Sequence, residues 1–75
     1  MITAKKLSKI EISSYAADQV AEMFGKSIST VYNYVNRGKK VSNDIYVRLD
    51  RGFVHGKSTR FHKASLIKFL EQIEA

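Results

Sequence analysis

Two short amphipathic stretches separated by about three residues constrain this chain more than anything else in it. In "YAADQVAEMF", residues 15–24, the apolar Ala17, Val20, Ala21 and Phe24 recur at helical spacing, with Asp18, Gln19 and Glu22 opposite. In "ISTVYNYVN", residues 28–36, Ile28, Val31, Tyr34 and Val35 again share one face. The spacing predicts helices over about 15–24 and 28–37. Ser13 or Ser14 can cap the first and Ser27 or Ser29 the second, since a hydroxyl accepts one of the free N–H groups at a helix start. Gly25 supplies a left-handed stop for the first helix, and Gly38 ends the second. So short a connection allows only a tight turn, and the second helix must cross the first closely.

After Gly38 the periodicity changes. "DIYVRLD", residues 44–50, alternates, with Ile45, Val47 and Leu49 on one side and Tyr46 and Arg48 on the other, the period of a half-buried strand. "STRFH", residues 58–62, is expected to return as its partner, which leaves "DRGFVHGK", residues 50–57, as a long hairpin tip. "KASLIKFLEQIEA", residues 63–75, places Leu66, Ile67, Phe69, Leu70 and Ile73 at spacings of three and four, a helix over about 63–74 that closes the core. Residues 1–9 read as a flexible basic arm and 10–75 as the folded domain.

With 75 residues there is room for one small domain, which buries only about 60% of the surface its unfolded chain exposes. There is no cysteine, so neither a disulfide nor a thiolate zinc site supports the core. No apolar run approaches the roughly 20 residues needed to span a bilayer, and the lysines near the start precede no hydrophobic stretch, so a soluble cytoplasmic protein without a signal peptide is expected. Thirteen Lys and Arg against seven Asp and Glu give a net charge of +6. Residues 39–63 hold seven of the basic residues and two of the acidic ones, a local excess of five. Clustered charge of this kind favours a surface for a polyanion over general solvation.

Within that basic segment, Gly56-Lys57-Ser58-Thr59 looks like the end of a nucleotide-binding loop. The pattern requires a glycine five residues before Gly56, where this chain has Arg51, and Gly52 is one residue out of register. Val20 stands where Gly25-Lys26-Ser27 would need its own earlier glycine. His55 and His62 have no cysteine to join them as metal ligands. No set of residues reads as nucleophile, base and orienter, so no enzyme activity, cofactor, metal or small-molecule ligand is expected.

The stretch "AADQVAEMFGKSISTVYNYV" resembles the helix-turn-helix of DNA-binding regulators. Small Ala21 lets the helices approach, Gly25 permits a positive φ in the turn, and branched Val31 fills the space between them. With the hairpin and "FHKASLIKFL" added, residues 10–74 are similar to the small winged helix-turn-helix proteins of the excisionase and AlpA-like phage regulator type, which share the fold of the MerR DNA-binding domain. The run Ser29-Thr30-Val31-Tyr32 and Arg37-Gly38 carry the likeness; no proline follows Gly38, and the connection from Lys39 to Asp44 is slightly long. The fold class expected is therefore α+β, a winged helix-turn-helix.

That resemblance implies sequence-specific binding of double-stranded DNA, with the second helix in the major groove. Ser29, Thr30, Asn33 and Arg37, flanked by Tyr32, would face the bases. The amide of Asn33 can pair with adenine and Arg37 can read guanine or hold a phosphate. Ser27, Ser29 and Thr30 would meet backbone oxygens near the helix start. Arg51, His55, Lys57, Ser58 and Arg60 would form the wing contacts, with Lys39 and Lys40 as phosphate clamps. Each has a plainer reading: Tyr32 packed on the wing, Asn33 solvated, Arg37 a charge favoured by the helix dipole. Phe53 at the wing can pack back, meet a neighbouring copy, or wedge between base pairs. The implied role is that of an excisionase that binds and bends attachment-site DNA beside an integrase or further copies of itself. A small repressor or activator, or a protein-interaction module, are the alternatives.

Overall fold

The computed structural model describes residues 2–56 and 58–74, with the side chains of His55 and Ser58 also outside the description. Along the chain run α1 (Ala4–Ser8), β1 (Ser14–Ala16), α2 (Ala17–Phe24), α3 (Ile28–Asn36), β2 (Lys39–Ser42), β3 (Ile45–Val47), β4 (Phe53–His55), β5 (Ser58–His62) and α4 (Lys63–Glu74). The architecture is α+β, a winged helix-turn-helix, as the sequence implies.

The turn between α2 and α3 follows from local chemistry. Gly25 sits at φ +66°, and its N–H donates to the Glu22 carbonyl at 3.1 Å while the Lys26 N–H donates to the Ala21 carbonyl at 2.9 Å. These two bonds satisfy carbonyls that a helix end otherwise leaves free. Ser27 then opens α3, its Oγ accepting from the Thr30 N–H at 3.2 Å. The start of α2 differs from expectation. Neither Ser13 nor Ser14 caps it; residues 14–16 are extended, and the Gln19 Oε1 accepts from the Ala16 N–H at 2.9 Å. The reason is tertiary: Tyr15 pairs with Phe61 in the sheet, and both are buried.

The strands depart furthest from the sequence reading. In place of one hairpin over 44–62 there are two. β2 and β3 pair antiparallel as Lys39↔Val47, Lys40↔Tyr46 and Ser42↔Ile45, with the register shifting at Val41 and Asp44 at φ +61° in the tip. β5 lies between β1 and β4, pairing Tyr15↔Phe61 on one side and Val54↔Thr59 on the other. The segment Phe53–His55, expected as a loop, is thus a strand, and the wing is β4–β5. Gly52 makes this possible: a Cβ there would stand 1.5 Å from the Arg60 carbonyl oxygen, so only glycine lets the chain pass so close to β5.

The N-terminal segment also departs from a loose arm. Thr3 caps α1 by accepting from the Lys6 N–H at 3.2 Å, and the Ala4 N–H donates to Glu74 Oε2 at 2.9 Å. The Ile2 N–H donates to the Met23 carbonyl at 3.1 Å, and Leu7 is fully buried against the core. One apolar side chain of that size, buried, is worth about 1.5–3 kcal/mol, which offsets part of the cost of ordering a five-residue helix, and the cap and the hydrogen bonds to Glu74 and Met23 add to it.

The core joins Leu7, Val20, Phe24, Val31, Leu49, Phe61, Leu66, Phe69 and Leu70. Phe24, Tyr34 and Phe69 form its aromatic centre, with ring centroids 5.5–6.5 Å apart. α2, α3 and α4 are thereby locked to one another. Leu49 is tied to the end of α3 by its N–H, which donates to the Tyr34 carbonyl at 3.0 Å.

Candidate nucleic-acid interface

Val31 and Tyr34 turn one side of α3 into the core, and Val35 is half-buried beside them. The far side carries Ser29, Asn33 and Asn36 at steps of four and three, all exposed. Asn36 is an addition to the candidates read from sequence, and its signal was present in the helical spacing from Ser29 and Asn33. Tyr32 is exposed on the flank toward the wing. Arg37 is the C-cap residue, exposed, with its N–H donating to the Asn33 carbonyl at 2.8 Å.

Ser27 and Thr30 have a second task. Their hydroxyls lie 3.0 Å apart, so the Ser27 Oγ holds both the Thr30 N–H and the Thr30 side chain. Both residues therefore shape the start of α3 as well as standing beside it.

The cations separate into two groups. Arg51 and Lys40 are exposed. Arg60 is half-buried, and its guanidinium is engaged: Nε donates to Ser14 Oγ at 3.3 Å and Nη2 to the Ser14 carbonyl at 3.2 Å. Lys39 is half-buried with Nζ 6.0 Å from the centroid of the Tyr34 ring, on the core side of α3. Arg48 shares a surface hollow with Ser65 and Lys68 of α4. Lys57, and the side chains of His55 and Ser58, lie outside the described residues. Phe53 packs back onto the domain, its ring centroid 4.7 Å from that of His62.

Between α3 and the wing runs a cleft of about 220 Å³. Tyr32, Val35 and Asn36 form its helical wall, and Arg51, Val54 and Thr59 face them across it. It brings Tyr32 and Arg51, far apart in sequence, to one feature.

A polar, exposed helix face presented by a glycine turn and flanked by a basic hairpin defines a DNA-binding domain of the winged helix-turn-helix class. Residues 15–73 match the profile of a family described as a helix-turn-helix domain, and the chain belongs to that family. No curated protein and no solved structure matches it. Among the described residues no helix is long and apolar enough to cross a membrane.

Proposed function

We propose that this domain recognises a specific duplex DNA site with α3 in the major groove and the β4–β5 wing on the adjoining backbone, in the manner of an excisionase. The observation that carries this reading is the row Ser29, Asn33 and Asn36, exposed on a helix whose other side is fixed by the aromatic core. Asn33 pairs with adenine, Arg37 contacts guanine or a phosphate, and Ser29 meets backbone oxygens at the helix start, with Ser27 and Thr30 beside it. Arg51, Lys40 and Lys57 supply the phosphate contacts, joined by His55 and Ser58 on the wing. With Arg37, Lys40, Arg51 and Lys57 as the four cationic contacts, log K falls against log salt with a slope of about −4. The domain acts by occupying and bending DNA at a recombination site of a phage or mobile element, where an integrase or further copies of itself assemble beside it.

Selection of sites from a random duplex pool, followed by footprinting, tests this. Direct repeats at a recombination site support excision. An inverted repeat over a promoter replaces that role with a dimeric repressor's. No enriched sequence at all contradicts site-specific binding.

A further inference from the structure

The pleat of the wing leaves one side chain unaccounted for. In β5, Thr59 and Phe61 share a face, and Phe61 is in the core. Val54 pairs with Thr59 and so belongs to the same inward face, yet it is 74% exposed, the most exposed large hydrophobic among the described residues. It stands where α3 does not reach it. Across the gap Tyr32 is 40% exposed and Val35 half-buried, so both walls of the cleft are apolar. Asn36 and Arg51 add an amide and a cation, and among the described residues no acidic one lines the cleft.

We propose that this cleft seats the sugar-phosphate backbone of one DNA strand, with Val54 and Tyr32 packed on deoxyribose and Arg51 and Asn36 meeting phosphate oxygens. The proposal rests on the DNA-binding reading above. A DNA strand alternates apolar sugar faces with anionic phosphates, and the cleft offers apolar walls beside a cation and an amide, in a segment with a local charge excess of five. Bare phosphate would need only the cation; Val54 has a partner only if the sugar enters too. The sugar contact is sequence-independent and carries no charge, so it contributes affinity that salt does not screen.

The test is fluorescence anisotropy with a labelled 30-base-pair duplex of mixed sequence, titrated at several salt concentrations. Val54→Ser should bind on the order of fivefold more weakly at every salt concentration, with the slope of log K against log salt unchanged. Val54→Thr, which keeps the β-branch and one methyl, should fall between Val54→Ser and the wild type. Arg51→Ala should instead flatten the slope by about 0.9. Wild-type affinity for both Val54 variants overturns the proposal while leaving DNA binding intact. A wild-type protein with no affinity for any duplex overturns both together.

Discussion

At the residue scale, the arginines of the wing divide by what holds them. Arg60 donates two hydrogen bonds to Ser14 and joins β5 to β1, whereas Arg51 is exposed at the cleft. Arg60→Met should therefore lower stability by about 1–2 kcal/mol in urea denaturation and leave the salt dependence of DNA binding unchanged. Gly52 is the least replaceable position in the wing. Gly52→Ala forces its Cβ against the backbone of Arg60, and the cost should be about 3 kcal/mol or more, measured as a fall in the denaturation midpoint. Neither property was legible in the sequence. Arg60 reads there as one more wing cation, and the close approach at Gly52 exists only once β4 and β5 are paired.

At the element scale, legibility followed periodicity. α2, α3 and α4 each carry apolar residues at spacings of three and four, and each stands within about two residues of where that pattern places it. The outward face of α3 is readable for the same reason, because burying Val31 and Tyr34 fixes which residues look away. The hairpins were harder. Lys39–Ser42 lacks alternating apolar residues, so nothing marks it as the partner of Ile45–Val47, and β5 pairs with the adjacent β4 and also with β1 near the start of the chain. α1 is five residues long with two apolar positions, too short for a periodic signal, and it is held by tertiary contacts. Leu7→Ala should accordingly destabilise the whole domain by about 3 kcal/mol, which thermal denaturation would register as a single lowered transition. If residues 4–8 were a loose arm, the melting temperature would not move. Ser27→Ala removes the cap of α3 and should cost about 1 kcal/mol.

At the scale of the whole molecule, the fold divides its labour between two surfaces of α3. One side is fixed by Phe24, Tyr34 and Phe69, and the other is left polar and exposed. In the proposed reading the net charge of +6, concentrated in 39–63, supplies attraction to any duplex, and the side chains of α3 supply the preference for one sequence. The most direct measurement is the ratio of affinities for a duplex selected from a random pool and a scrambled duplex of equal length, for wild type and Asn33→Ala at one salt concentration. The wild type should prefer the selected duplex by about a thousandfold or more. Asn33→Ala should weaken that binding by about 1–3 kcal/mol and leave the scrambled duplex unaffected. Equal affinities for the two duplexes, or an equal loss on both in the variant, would contradict sequence reading by α3.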